Sequence, residues 1–274
     1  MDTHRVRTTD FKKMKRRSEK ITMLTAYDAT MARLFDRAGL DALLVGDSLG
    51  MVVLGHETTL PVTIEAMIHH TAAVSRGVEH ALVIADMPFL TFQVSIPEAV
   101  RNAGRLIQEG GAAAVKLEGG RPMLDVVARL VDIGIPVMGH LGLLPQSVHQ
   151  LGGYARRGRE THEVDAILAD AIALEKAGAF AIVLESIPSA LARTVTAQVG
   201  VPTIGIGAGP DCDGQILVSY DMLGLFDRFV PPFVKQYAHL GETIVSAAQE
   251  YVKDVHAGRY PVPIAPAKDV PSAS

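Results

Sequence analysis

The sequence has very little cysteine and no segment suited to a membrane. Its 274 residues include one cysteine, Cys212, which excludes an internal disulfide and favours a reducing compartment such as the cytoplasm. No apolar run approaches the ~18 residues that a membrane helix requires, so we expect no membrane association. The first residues are basic and polar, without the apolar core of a signal peptide, which argues against secretion.

The sequence also lacks a strong excess of charge. A formal net charge of -4 makes neither nucleic acid nor an anionic membrane an expected partner. Residues 12–17 do form a basic cluster, which could bind nucleic acid. The spacing of Phe11 and Met14 instead favours a helix that packs on the body of the protein and leaves its basic side chains in solvent. We therefore interpret residues 1–20 as a basic helical extension.

Several cofactor motifs are missing. No Gly-x-Gly-x-x-Gly motif opens a helix and no P-loop lysine motif occurs, so the sequence does not support nucleotide binding. No clustered Cys or His pattern indicates zinc. Residues 205–209, Gly-Ile-Gly-Ala-Gly, resemble the phosphate-binding loop of many barrel enzymes, although glycines there also permit a tight turn.

What the sequence does contain is a series of short apolar segments that end in polar residues. The first, Leu43–Val45, is followed by Gly46, Asp47 and Ser48. A continuous apolar run of this length is typical of a strand buried on both faces. A buried carboxylate without a partner is costly, so Asp47 belongs at the end of the strand. Later segments end in the same way, at Asp86, at Lys116 and Glu118, at His140, and at Glu185.

Eight such β units alternate with helical patterns over residues 21–260, which predicts a single-domain (β/α)₈ TIM barrel. Asp28 is a candidate N-cap of the first barrel helix, 216–218 is the best candidate for strand eight, and a C-terminal helix is predicted over 233–255. The alternative is an open doubly wound sheet. Polar residues at most strand ends favour the barrel. Residues 261–274 are predicted to be a loose tail.

The acidic residues at the strand ends indicate a metal site. Two carboxylates held close together repel each other, so one takes up a proton unless a cation compensates. Oxygen ligands suit Mg²⁺, which makes Asp47 and Asp86 the candidate ligands. Glu118, on the next strand, could bind the ion directly or through one of its waters. Each acid alone could instead cap a helix or pair with a base.

Three further residues have candidate catalytic or binding roles. Lys116 lies two residues before Glu118, on the same face of the strand, and could bind a substrate oxygen or form a buried ion pair with Glu118 or Asp86. His140 could donate a hydrogen bond to a developing enolate or be structural. Glu185 is the best candidate general base, since a carboxylate beside an apolar strand end binds a proton more readily, although it could instead be an acid at the N-terminus of the helix that begins near Pro188.

At these residues the chain resembles the ketopantoate hydroxymethyltransferase family. The similarity extends in order over about residues 20–260, and its combination of motifs is highly specific. A departure occurs at residues 156–160, Arg-Arg-Gly-Arg-Glu, where the family has a Gln-Gly-Arg-Gly type of segment. The matching stretches are residues 24–28, 44–50, 60–63, 70–74, 115–120, 139–143, 145–148, 205–209 and 213–215.

The resemblance implies a barrel of the phosphoenolpyruvate/pyruvate superfamily type, assembled as a cytoplasmic homodecamer. It implies transfer of a one-carbon unit from 5,10-methylenetetrahydrofolate to 3-methyl-2-oxobutanoate, giving 2-dehydropantoate for pantothenate and coenzyme A synthesis. It also implies that Mg²⁺ is bound by Asp47, Asp86 and Glu118 and that Glu185 is the proton acceptor. The implied substrate contacts are Asp47, Ser48, Asp86, Lys116 and His140.

Two other functions compete with this one. A Mg²⁺-dependent C–C lyase or phosphonomutase, such as an isocitrate-lyase-like enzyme, would carry a cysteine in a Lys-Lys-Cys-Gly-His type of loop. The surroundings of Cys212, Pro-Asp-Cys-Asp-Gly, do not match that loop. A non-catalytic nucleic-acid-binding protein would use the basic N-terminal segment, and a salt-dependent gel shift would reveal it.

Overall fold

A computed structural model describes residues 5–262 of the chain. The chain divides into two compact units, one ending at Ser219 and the other beginning at Tyr220. Eight strands lie in the first unit: β1 Ile21–Thr25, β2 Ala42–Val45, β3 Leu82–Asp86, β4 Ala114–Glu118, β5 Val137–Gly142, β6 Ala181–Glu185, β7 Thr203–Ile206 and β8 Gly214–Leu217.

Eleven α-helices and two 3₁₀ helices occur within residues 5–262. The 3₁₀ helices span Arg121–Met123 and Pro145–Ser147. The α-helices are α1 Thr8–Arg16, α2 Ala29–Arg37, α3 Leu49–Val52, α4 Ile64–Gly77, α5 Ile96–Gln108, α6 Leu124–Asp132, α7 Val148–Leu151, α8 Thr161–Lys176, α9 Ser189–Gln198, α10 Ser219–Met222 and α11 Leu240–His256.

The eight strands form a closed parallel barrel in which each strand pairs with its neighbours in chain order and β8 returns to β1. This confirms the predicted (β/α)₈ architecture over the open sheet. Local signals start the helices as expected. The Asp28 side chain accepts hydrogen bonds from the backbone N–H groups of Thr30 and Met31, which caps α2. Ser95 caps α5 in the same way, with Pro97 in its first turn.

Alternation along the strands decides what fills the barrel. Every second residue points inward, so the first inward residue of β4 is Ala114 and the next two are Lys116 and Glu118. In β6 the inward residues are Ala181, Val183 and then Glu185. The interior is therefore apolar at the start of the strands and polar at their ends.

Helix α1 closes the apolar end of the barrel. Phe11 is fully buried among the inward residues, and Met14 packs against the same cluster. The Lys15 ammonium donates to the carbonyl oxygens of Thr196 and Val201 and lies 2.9 Å from the Asp213 carboxylate. Residues 8–16 are therefore helical and pack through Phe11 and Met14 as expected, but Lys15 is partly buried in an ion pair and does not lie in solvent.

Two element bounds differ from the sequence-based expectation. Strand β8 begins at Gly214, earlier than expected, because Gly214 already pairs with Ile21 of β1 and Ile204 of β7. Glycine permits this close approach, since a Cβ on Gly214 would lie 2.5 Å from the Ile21 carbonyl oxygen. The C-terminal helix α11 begins at Leu240, and residues 233–239 form no helix. Of the predicted tail, residues 263–274 lie outside the described residues. Within residues 5–262, no helix has the length and apolar character needed to cross a membrane.

Candidate active site

Strand register brings the polar strand ends together in pairs. Asp86 of β3 is the register partner of Lys116 in β4, and Glu118 of β4 is the partner of His140 in β5. The five residues Asp47, Asp86, Lys116, Glu118 and His140 are all at most 5% exposed. The structure therefore gathers the predicted site residues at the carboxyl ends of the strands, where the active sites of such barrels lie.

Asp86 is the central acid of the cluster. Its Oδ1 lies 2.6 Å from the Lys116 ammonium, and its Oδ2 accepts a hydrogen bond from the backbone N–H of Asp47. The sequence left two partners possible for Lys116, and the structure shows that its ion pair is with Asp86. The turn after β2 is tight, because a Cβ on Gly46 would lie 2.7 Å from Ser48 Oγ. Glycine there allows the backbone of Asp47 to approach Asp86.

The cluster has more negative than positive charge. Burial, followed by repulsion from Asp86 and Glu118, raises the pKa of Asp47 to about 8. Burial alone would lower the pKa of Lys116, but the carboxylates of Asp86, Glu118 and Asp47 outweigh it and raise that pKa above its ordinary value. Lys116 is therefore a permanent cation, and Asp47 is an acid that a further cation would stabilise in its charged form.

His140 lies between two carboxylates. Its Nε2 is 3.2 Å from Glu185 Oε2, and its Nδ1 is 3.6 Å from Glu118 Oε1. Neither contact has the alignment of a hydrogen bond. Burial and Lys116 lower the pKa of His140, but Glu118 and Glu185 outweigh them and raise it to about 9. Both ring nitrogens therefore face carboxylates, and these favour the protonated imidazole.

The backbone around Glu185 is tightly fixed. Its carbonyl oxygen accepts a hydrogen bond from Leu143 N, and a Cβ on Gly142 would lie 2.2 Å from that oxygen. Gly142 also has a φ of 97°, so only glycine fits there. Ser186, the next residue, has a positive φ of 48°. The Glu185 side chain is 18% exposed, so it is accessible to a small molecule as well as to His140.

Ser48 sits beside the acids and is held from the other side. Its hydroxyl lies 2.9 Å from the hydroxyl of Tyr27, a residue that is 2% exposed. The backbone carbonyl oxygen of Tyr27 contacts His70 Nδ1 at 2.7 Å. The short segment after β1 thus supports the segment after β2. The sequence did not predict that Tyr27 contacts Ser48, because a tyrosine that follows an apolar strand is commonly just a residue of the hydrophobic core.

The long insertion after β5 contributes two residues that sequence reasoning did not assign. Gln146 is 4% exposed, and its side-chain amide donates to Asp47 Oδ2. The Tyr154 hydroxyl lies 3.9 Å from the sulfur of Met51. Burial and the nearby carboxylates of the site raise the pKa of Tyr154. The available signal was the position of the Pro-Gln-Ser segment directly after the polar end of β5.

The donor set fits a divalent cation that keeps some water. Within residues 5–262 no three His, Cys, Asp or Glu side chains converge as a complete metal site. Asp47 and Asp86 supply two carboxylates, and Mg²⁺ commonly binds to one or two carboxylates with water and substrate oxygens. The oxygens of Glu118 already contact Gln146 N and His140, which favours contact through water.

The glycine segment after β7 is a tight turn. Gly207 and Gly209 both have positive φ, and a Cβ on Gly209 would lie 2.5 Å from Ser189 Oγ. Gln215 Nε2 donates to the Gly209 carbonyl oxygen. Local geometry therefore accounts for the glycines without a phosphate.

Taken together, the closed barrel and the buried acids at its strand ends define a (β/α)₈ enzyme. Solved structures show the same fold: a phosphonopyruvate hydrolase in complex with oxalate and Mg²⁺ matches with a TM-score of 0.63 at 13% identity, over 92% of this chain and 88% of that one. A 2,3-dimethylmalate lyase of the PEP mutase/isocitrate lyase superfamily matches with a TM-score of 0.59 at 17% identity, over 96% and 92%.

Sequence comparison defines the family. The ketopantoate hydroxymethyltransferase family model matches residues 5–263. The 3-methyl-2-oxobutanoate hydroxymethyltransferase of Moorella thermoacetica is 61% identical over 90% of this chain and 92% of its own. That of Syntrophus aciditrophicus is 55% identical over 94% of each. The chain belongs to the ketopantoate hydroxymethyltransferase family and is an enzyme of the pantothenate pathway.

Proposed function

We propose that the protein transfers a one-carbon unit from 5,10-methylenetetrahydrofolate to 3-methyl-2-oxobutanoate, giving 2-dehydropantoate in a Mg²⁺-dependent reaction. The observation that carries this proposal is the layout of the buried site. Two carboxylates, those of Asp47 and Asp86, lie at the ends of β2 and β3, and the ammonium group of Lys116 on β4 pairs with Asp86. A histidine and a glutamate in contact, His140 and Glu185, lie on the following two strands.

Asp47 and Asp86 would hold the ion, with Glu118 in contact through water. When bound, Mg²⁺ supplies Lewis acidity toward the oxygens of a 2-oxo acid, which makes the hydrogen on C3 more acidic. Lys116 adds a fixed positive charge beside the same acids, where it would attract the substrate carboxylate. Ser48 would contribute a hydroxyl to the same substrate group.

Glu185 would remove the proton from C3 of the substrate. Its side chain reaches solvent at one edge while its backbone is held by Leu143 and Gly142, so the carboxylate is both available and oriented. His140, charged and within contact distance of Glu185, would donate to the oxygen on which negative charge develops. The C3 carbanion would then form a C–C bond to the methylene carbon of the folate. Water would break the remaining C–N bond, giving its hydroxyl to that carbon and its proton to the nitrogen, so that tetrahydrofolate leaves and the hydroxymethyl group is complete.

Hydrogen exchange at C3 tests this function without the folate. We expect the protein with Mg²⁺ in D₂O to replace the C3 hydrogen of 3-methyl-2-oxobutanoate with deuterium, as followed by proton NMR. Chelation of the metal should stop the exchange, and re-addition should restore it. Absence of exchange together with absence of turnover when folate is supplied would overturn the proposal.

Asp86→Asn is expected to weaken the binding of Mg²⁺, so that C3 exchange requires a higher Mg²⁺ concentration. The amide removes one charge from the carboxylate pair and the partner of Lys116, so the site attracts a divalent cation less strongly. The Mg²⁺ concentration for half-maximal exchange should rise about 10-fold or more, the scale expected when a charged ligand is lost. Asp125→Asn, on α6, is the control. An unchanged metal requirement would remove Asp86 from the ligand set.

The homodecamer and the cytoplasmic location stay predictions from the family resemblance. The exclusion of nucleic acid is likewise a prediction. Full turnover after deletion of residues 1–20 would count against the nucleic-acid-binding alternative, but Phe11 is buried in the core cluster of the barrel, so a point variant is the better test. Lys12→Ala is such a variant, because it removes an exposed basic side chain of this segment and leaves Phe11 in place.

A further inference from the structure

Gln146, in the insertion after β5, contacts the two acids that flank Asp86 in the barrel, Asp47 and Glu118. The backbone N–H of Gln146 donates to Glu118 Oε2 at 3.0 Å. Its side-chain Nε2 donates to Asp47 Oδ2 and to the carbonyl oxygen of Met87, both at 2.9 Å. Both side-chain amide hydrogens are therefore used. Gln146 links the segments after β2 and β3 through its buried side chain and reaches the end of β4 through its backbone N–H.

A second glutamine determines which way this amide faces. Gln93 Nε2 donates to Gln146 Oε1 at 3.2 Å. If the Gln146 amide were turned over, its oxygen would face the Met87 carbonyl oxygen, and two acceptors would meet without a hydrogen between them. The donor from Gln93 stabilises the other orientation, in which Nε2 faces Asp47 Oδ2 and the Met87 carbonyl oxygen.

In this orientation one polar atom of the Gln93 side chain, its buried Oε1, is left without a hydrogen-bond partner among the described residues. A buried carbonyl oxygen without a partner lowers stability, and a glutamine that served only to pack would be replaceable by an apolar side chain at no loss. The side-chain hydrogen bond that Gln93 donates goes to Gln146 Oε1.

We propose that Gln146, oriented by Gln93, is a positioning residue that fixes the Asp47 carboxylate in the orientation needed to bind the divalent cation. The proposal rests on the Mg²⁺ dependence proposed above. Asp47 has two oxygens, and Gln146 occupies Oδ2, so the carboxylate cannot rotate freely and presents Oδ1 to the ion. Hydrogen bonds that orient a ligand typically contribute 10- to 100-fold in metal affinity.

The experiment measures metal binding by the protein without substrate. Gln146→Met keeps the length of the side chain and removes both amide donors, while the backbone N–H to Glu118 remains. We expect Mg²⁺, titrated by calorimetry, and Mn²⁺, titrated by electron paramagnetic resonance, to bind about 10- to 100-fold more weakly. Gln150→Met, at an exposed position of α7 in the same insertion, is the matched control and should bind as the wild type does.

The link through Gln93 is tested by a double-mutant cycle. Gln93→Met should weaken metal binding in the wild-type background, by less than Gln146→Met does. It should have no further effect when Gln146 is already methionine, because its contribution passes through that residue. Additive losses would mean two independent structural roles and would overturn the proposal. Gln93→Met also provides the test if Gln146→Met fails to fold.

The outcomes separate the two proposals. If the wild type binds neither ion, the Mg²⁺-dependent function fails, and the positioning role fails with it. If the wild type binds and both glutamine variants bind within two-fold of it, the positioning role alone is overturned. Weakened metal binding by a variant that still unfolds cooperatively in urea supports it, since a role in packing alone would lower the unfolding midpoint and leave the affinity in place.

Discussion

Glu185→Gln should slow C3 exchange in 3-methyl-2-oxobutanoate by about 10²- to 10⁴-fold, the usual contribution of a general base. Glutamine has the same shape but cannot accept the proton. The backbone contacts of residue 185 with Leu143 and beside Gly142 do not involve the carboxylate, so the strand end should keep its geometry. Exchange is measured by proton NMR at saturating Mg²⁺.

Metal binding distinguishes loss of the base from collapse of the site. The Glu185 carboxylate contacts His140 and makes no contact within the described residues to Asp47 or Asp86, so the Mg²⁺ affinity of the variant should stay close to that of the wild type. Glu175→Gln is the matched control, because Glu175 is also partly buried but accepts a hydrogen bond from Gly200 N. Exchange at more than a tenth of the wild-type rate would remove Glu185 from the base role.

Much of the barrel and of the site could be predicted because short apolar runs that end in polar residues alternate along the chain with helical patterns. Lys116 and Glu118 had to share a face, and apolar segments that end in polar residues had to place those residues at the carboxyl ends of parallel strands. The structure confirms both points. The pattern recurs in successive strands, and β3, β4 and β6 end at the polar residues expected, Asp86, Glu118 and Glu185.

The partners of each residue could not be predicted, because they depend on register between strands. Sequence left Lys116 free to pair with Asp86 or with Glu118, and only the pairing of β3 with β4 sets it opposite Asp86. The position of His140 between two acids likewise requires β4, β5 and β6 to be aligned.

Gln146 shows a second limit. A single amide in the short 3₁₀ helix Pro145–Ser147 shows no periodicity, so its position after the polar end of β5 does not by itself indicate which groups it contacts. Its contacts with Asp47 and Glu118 exist only because the insertion folds back over the strand ends. Residues of this kind are found from coordinates, whereas the carboxylates they support are found from the strand pattern.

Lys116→Met is expected to lower the free energy of unfolding by about 3–5 kcal/mol, the range found when one partner of a buried ion pair is removed. Methionine has a similar length and no charge. It would leave Asp86, whose side chain is 3% exposed, without its cation, and Asp47 and Glu118 would lose the same nearby positive charge. Urea unfolding of the metal-free protein measures the loss.

Arg105→Met is the control that isolates burial. Arg105 pairs with Glu65 and Glu109, but all three side chains are between 32% and 68% exposed, and solvent screens such pairs. Exposed pairs contribute about 1 kcal/mol or less, so this variant should unfold close to the wild type. A similarly small loss for Lys116→Met would mean that water already solvates the acids at the strand ends. The charge excess invoked here for binding a divalent cation would then be too weak to select one.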